Sequence, residues 1–249
     1  MSETKTINNP EVLVEEKLDE LVNFRKTNES MPECWGKQFD LGLAWVHFPE
    51  GSGGLGINPK YQLMVTNRLR EEGISQNNRI ANILGVGMGA PTIVEYGTPE
   101  QIQKYLRPMF TAEEIWCQLF SEPGSGSDLA SLSTRAIDDG DGYIVNGQKV
   151  WTTLGHLAKW GLLVTRTDPD APKHRGLTFF IVDMESEGVE VRPLRQITGE
   201  AEFNEVYFTD TKIPKENILG GLSSVNGCIL QKKTCWYIWN LWGFVISST

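Results

Sequence analysis

Two patterns of apolar residues divide this chain. In the first, apolar positions recur at steps of three and four, the period of a helix with one buried face. Val14, Leu18, Leu21 and Val22 follow Asn9-Pro10, a helix-start pair with proline at the first helical position. Asn58-Pro59 repeats the device ahead of Tyr61, Met64, Val65 and Leu69. Thr98-Pro-Glu-Gln101 has the form of a capping box, and Ile102, Tyr105, Leu106 and Met109 make the face behind it. Residues 1–115 are therefore expected to form an all-helical domain.

From residue 116 the pattern changes to short runs rich in β-branched and aromatic residues. They fall at 133–137, 143–151, 161–166, 177–182, 189–192 and 205–208. Asp138-Asp-Gly-Asp-Gly142 and Asn146-Gly147 read as turns between them. Asp168-Pro-Asp-Ala-Pro-Lys173 reads as a polar surface excursion. Six runs at this spacing predict a small antiparallel β-barrel or sandwich over 116–220. The expected class is α+β, helical domain first. Residues 221–249 form a third, distinct stretch with Trp236, Trp239 and Trp242 at helical spacing and no acidic residue.

Composition narrows the function. The 249 residues carry a net charge of −9, which argues against a nucleic-acid surface. The amino terminus lacks the apolar core of a targeting segment, and the longest apolar run is too short to span a bilayer. Cys34, Cys117, Cys228 and Cys235 show no Cys-x-x-Cys spacing. A cytoplasmic, reducing location is expected. His47, His156 and His174 are scattered without metal-ligand spacing, so no metal is expected. Asn28-Glu-Ser30 matches a glycosylation acceptor, which has no meaning without secretion.

Three glycine-rich stretches stand out. Gly51-Ser-Gly-Gly-Leu-Gly56 has dinucleotide-loop spacing but neither a strand before it nor a helix directly after it, so it reads as a connecting loop. Gly85-Val-Gly-Met-Gly89 reads as close helix packing, with close approach of a ligand as the functional alternative. The richest stretch runs from Gln118 to Asp128: Gln-Leu-Phe-Ser-Glu-Pro-Gly-Ser-Gly-Ser-Asp. Its glycines let a ligand approach the main chain, and its serines supply small hydrogen-bonding groups. The same residues also make an ordinary surface turn.

Taken in order, Ser-Glu-Pro-Gly-Ser-Gly-Ser-Asp at 121–128, Asn-Gly-Gln-Lys-Val-Trp-Thr-Thr at 146–153 and Ile-Pro-Lys-Glu-Asn-Ile-Leu-Gly at 213–220 resemble the acyl-CoA dehydrogenase family. The resemblance covers roughly residues 10–220. It implies a helical domain followed by a β-barrel domain, an FAD cofactor, an acyl-CoA substrate oxidised at its Cα–Cβ bond, homo-oligomers, and an electron-transfer flavoprotein as partner. It also implies that Gln118, Leu119, Phe120, Ser121, Gly126, Ser127, Trp151, Thr152 and Thr153 contact the flavin. Ser127 additionally matches a position that contacts the acyl-CoA arm. Thr152 stands where an aliphatic residue is common. Asp128 reads as structural, and Arg135 and Lys149 are candidates for CoA phosphates. The family's catalytic glutamate lies in a third, helical domain, and residues 221–249 do not resemble it. No catalytic residue is therefore assigned, and low activity of this chain alone is expected, as of a reading frame that ends differently from its relatives. Two alternatives stay open: a non-catalytic module that binds FAD, CoA or a protein partner, and an acyl-CoA oxidase or flavin monooxygenase with the same motifs.

Overall fold

The computed structural model describes residues 9–172, 175–197, 199 and 202–222. His174, Cys228, Cys235 and the tryptophans at 236, 239 and 242 lie outside the described residues. The described chain forms two compact units. One holds the chain up to Ala81 together with Pro99–Glu113, and the other holds Asn82–Thr98 together with the chain from Glu114.

The first unit contains α1 (Pro10–Thr27), α2 (Met31–Asp40), α3 (Gln62–Glu71), the short α4 (Asn77–Ala81) and, after the excursion into the other unit, α6 (Pro99–Thr111). The helix starts follow from the asparagine caps. Asn9 accepts hydrogen bonds from the Glu11 and Val12 amides, and Asn58 accepts from Lys60 in a short 3-10 turn ahead of α3. Val14, Leu18, Leu21 and Val22 are buried against Cys34, Val46, Val65 and Leu69, as the helical spacing requires. Gln101, Tyr105, Leu106 and Met109 bury the inner face of α6.

The Gly51–Gly56 loop lies between α2 and α3, and no strand precedes it among the described residues. It is stitched to its own chain: Ala44 and Trp45 both donate to the Gly53 carbonyl, and Leu55 and Ile57 both donate to Val46. A Cβ on Gly54 would lie 2.1 Å from the Phe48 carbonyl oxygen. Gly53 and Gly54 serve packing, and Gly51 and Gly56 supply positive φ.

The second unit opens with a π-helical turn, Gly85–Gly89, whose five residues are all buried, followed by α5 (Ala90–Tyr96). Asn82 ties this stretch to the chain entering the sheet: its Oδ1 accepts from the Trp116 amide and its Nδ2 donates to the Glu114 carbonyl, each at 2.9 Å. Eight strands follow among the described residues: β1 (Trp116–Leu119), β2 (Arg135–Asp138), β3 (Gly142–Thr153), β4 (Trp160–Arg166), β5 (Leu177–Asp183), β6 (Val189–Leu194), β7 (Phe203–Pro214) and β8 (Ile218–Leu219). Their order is β6-β7-β3-β2-β4-β5-β8, with β1 beside β4.

Two features differ from the antiparallel barrel expected from the strand spacing. The sheet is mixed, because β1 pairs with β4 in parallel and β2 touches β4 in parallel. It is also an open path, with β6 at one end and β8 at the other. Turn residues mark where a strand stops and carry no information about its neighbour. A parallel neighbour needs a long crossover, which here is the stretch from Phe120 through β2 and β3. Asn146-Gly147 is likewise not a turn. It sits inside β3 where the register with β7 shifts, and a Cβ on Gly147 would meet the Thr134 side chain at 2.4 Å. A bulge and a hairpin turn draw on the same backbone freedom. The core of the unit gathers Cys117, Leu119, Tyr143, Val145, Leu163, Phe180, Val206 and Phe208.

Candidate functional site

The Gln118–Asp128 stretch begins as a strand and ends as a turn. Gln118 and Leu119 pair with Leu162 and Leu163 of β4. Glu122 and Ser125 then exchange both backbone hydrogen bonds, at 2.8 and 3.0 Å, closing a tight turn over Pro123 and Gly124. Gly124, Gly126 and Ser127 are exposed, and no atom lies within 4 Å of a Cβ built on either glycine. The Ser125 hydroxyl donates to the Asp128 carbonyl, and Ser131 donates to the Asp128 carboxylate. Asp128 is structural in this arrangement.

Glu122 anchors the turn. Its carboxylate accepts from the Ser133 amide at 2.6 Å, the Ser133 hydroxyl at 2.7 Å, the Thr134 amide at 3.0 Å and the Lys149 ammonium at 2.8 Å. The side chains are 3% and 0% exposed for Glu122 and Lys149. Burial alone would push the Glu122 carboxyl up, but the Lys149 charge and the hydrogen bonds outweigh it and hold it at about 2. Burial pulls the Lys149 ammonium down to about 8, with Glu122 opposing. Lys149 is thus committed inside the protein and is not placed to meet a CoA phosphate. Arg135, the other candidate for that role, is exposed on β2.

The loop meets β3 at its middle. Lys149 Nζ donates to the Phe120 carbonyl at 3.1 Å, and the Val150 amide donates to the Ser121 carbonyl at 2.8 Å. Here β3 departs from β7: Lys149 pairs with Val206 and Thr152 with Asn204, so Val150 and Trp151 together face a single partner residue. This bulge puts Trp151 at φ +59°. For a bulky side chain that conformation costs of order 1–3 kcal/mol and persists only where the surroundings impose it. Trp151 is 64% exposed, and its indole meets the edge of Phe203, ring centroids 6.0 Å apart. Beyond it, Asn204 donates to the Thr152 carbonyl at 2.9 Å and faces His156 Nδ1 at 3.2 Å.

The nine candidate contact residues therefore separate. Ser121, Phe120 and Gln118 are half-buried along the strand end, with Phe120 leaning on Phe179. Trp151 is exposed and Thr153 half-buried on the adjoining strand. Leu119 and Thr152 are fully buried, so neither presents surface to a ligand in this arrangement. The Thr152 hydroxyl has no hydrogen-bond partner among the described residues. Gly126 and Ser127 sit at the exposed turn. The sequence reading missed Glu122 and Asn204, and it took Lys149 for a phosphate-binding cation and not for the partner of Glu122. Glu122 and Lys149 lie within the quoted motifs, but 27 residues apart, with no periodicity to link them.

A flat ring system with polar edges fits this ledge. An aromatic face is held out by a strained bulge, a hydroxyl-bearing strand end lies beside it, and a buried hydroxyl is left without a partner. Among the described residues no group of three His, Cys, Asp or Glu is placed to hold a metal ion, and no helix is long and apolar enough to cross a membrane.

Residues 8–113 match the N-terminal domain of acyl-CoA dehydrogenases, and residues 117–211 match the middle domain. Acyl-CoA dehydrogenase FadE34 of Mycobacterium tuberculosis is 45% identical over 184 residues, covering 74% of this chain and 25% of its own length. Acyl-CoA dehydrogenase IpdE1 of the same organism is 38% identical over 179 residues, covering 72% and 46%. An acyl-CoA dehydrogenase structure from Geobacillus kaustophilus superposes with a TM-score of 0.64 at 32% identity, over 88% of this chain and 61% of that one. This chain thus spans a quarter to just under half of these two curated relatives. The family's N-terminal and middle domains follow one another in order along most of this chain: the chain belongs to the acyl-CoA dehydrogenase family.

Proposed function

We propose that this chain forms the flavin- and thioester-binding part of an acyl-CoA dehydrogenase, with FAD lying along Gln118–Ser121, Gly126, Ser127 and Trp151–Thr153. The observation that carries the reading is the bulge at Val150–Trp151, which presents an exposed indole next to Ser121, whose carbonyl is bonded to Val150. FAD, when bound, would accept the hydride released from Cβ of the acyl group. The chain's own residues bind and orient. Trp151 covers an apolar ring edge, the hydroxyls of Ser121 and Thr153 donate to polar ring atoms, and Ser127 reaches the acyl-CoA arm. Such donors favour an electron-rich ring as charge develops on it.

Removal of the α proton needs a carboxylate. Glu122, the glutamate within the ledge, is held by Lys149, Ser133 and Thr134 and is not available for that step. This favours a second, narrower reading in which the chain by itself holds flavin without turning over substrate. Homo-oligomers, as in intact relatives, are the expected assembly, and an electron-transfer flavoprotein is the expected electron acceptor in the first reading alone.

The test is the visible absorption spectrum of the purified protein, taken before and after adding FAD and removing the excess. A bound oxidised-flavin band is expected, weakened in Trp151→Ala and Ser121→Ala. A folded protein that retains no flavin would refute both readings. If flavin binds, its bleaching by a panel of acyl-CoAs separates the dehydrogenase from the holding role.

A further inference from the structure

We infer that Glu122 and Lys149 are positioning residues: a buried ion pair that clamps the loop carrying Ser121 to the strand carrying Trp151. The inference rests on the flavin reading for what the ledge binds, while the clamp stands on its own geometry. Neither side chain is exposed enough to touch a ligand, so whatever they do is transmitted through their neighbours. Lys149 Nζ bridges the Glu122 carboxylate and the Phe120 carbonyl. One residue on, the Val150 amide turns to the Ser121 carbonyl, at the point where β3 leaves its ladder with β7. Glu122 fixes the far side by accepting from Ser133 and Thr134, the residues that lead into β2. Three successive loop residues, 120 to 122, are thereby held against 149 and 150, and the strained Trp151 follows at once.

Stability alone does not account for such a pair. Replacing a buried ion pair by apolar residues of similar volume is often neutral or stabilising, whereas its charges demand one geometry. The pair sets the register between the two sides of the ledge, and with it the spacing between Ser121 and Trp151.

The experiment uses the full chain and the double variant Glu122→Leu with Lys149→Met, which removes both charges and leaves none uncompensated. The expected result has three parts. The thermal midpoint stays within a few degrees of the parent. Hydrogen-exchange protection of the Val150 amide falls at least ten-fold, while Leu162 and Ile181 in the β4–β5 ladder keep theirs. FAD binds at least ten-fold more weakly, with a shifted flavin band. A double variant with the parent's Val150 protection and FAD affinity would overturn the inference. Should the double variant not fold, Glu122→Gln, which keeps the shape and loses the charge, decides: reduced Val150 protection supports the clamp, and unchanged protection overturns it. A parent protein that binds no FAD, with Val150 protection falling as expected in the variants, removes the flavin reading and leaves the clamp standing.

Discussion

Two loops in this chain carry the same composition for opposite reasons. In Gly51–Gly56 the two central glycines make room for the protein itself: a Cβ on Gly53 would lie 2.6 Å from the Phe39 ring, and one on Gly54 2.1 Å from the Phe48 carbonyl oxygen, while Gly51 and Gly56 supply positive φ at the loop's ends. In the loop from Glu122 to Asp128 nothing lies within 4 Å of a Cβ on Gly124 or Gly126. The first loop is closed by its own backbone. The second is anchored from beneath by Glu122 and left open above. Glycine content therefore says little about a ligand loop. What separates the two is whether the space that glycine clears is already filled.

The sharpest division between the loops is in their response to acid. The Glu122 carboxyl is held at about 2, below its ordinary 4.5, so between those values the unfolded chain binds more protons than the folded one. The contribution of Glu122 ionisation is complete above about pH 4.5 and disappears as pH falls towards 2. Hydrogen exchange at Val150, Ser133 and Thr134 should accelerate through that window, while Leu55 and Ile57 in the first loop stay protected until global unfolding. Equal acceleration in both loops would mean that Glu122 has no separate role. Gly54→Ala comes next. It drives a methyl group into the Phe48 and Trp45 carbonyls and should destabilise the chain by about 2 kcal/mol, measured by urea denaturation. An unchanged midpoint would show that the first loop is as open as the second.

Much of this was legible in the residues, and the rest was hidden for definite reasons. The helix starts at Asn9-Pro10 and Asn58-Pro59 are local devices, and each asparagine caps as its position dictates. The strand runs were readable as well, because burial on a sheet selects β-branched and aromatic side chains. The parallel pairing of β1 with β4 was not, since neighbours in a sheet are chosen by topology and not by composition. Asn146-Gly147 misled because a bulge and a hairpin turn favour the same dipeptide. At the site, Leu119 and Thr152 belong to matching motifs yet bury their side chains, while Lys149 looked like a free cation and proved to be half of a buried pair. Charge in a sequence carries no sign of what neutralises it across 27 residues.

Trp151 tests whether the second loop's neighbour is built for a ligand. At φ +59° with its indole exposed, the side chain contributes little packing and carries backbone strain. Trp151→Gly relieves the strain and should raise stability by about 1 kcal/mol while lowering FAD affinity. Such an opposed pair of effects marks a residue kept for function. A fall in stability would instead identify the indole as a packing element against Phe203.

The smallest expected change in stability sharpens the comparison most. Gly126→Ala makes in the open loop the same chemical change that Gly54→Ala makes in the closed one. Gly126 has no positive φ, and a Cβ there meets nothing. The stability change should stay within about 0.5 kcal/mol, leaning towards a gain because alanine narrows the unfolded ensemble. The added methyl group would nevertheless stand where a ligand approaches the main chain, so FAD should bind about ten-fold more weakly, read from retained flavin absorbance. If affinity and stability both stay put, the space above Gly126 is solvent and the loop is a surface turn. If affinity alone falls, the methyl group has entered space that the protein leaves empty and the ligand fills. Gly53 and Gly54 of the first loop and the glycines of the second then differ in what they make room for, with identical residues in both places.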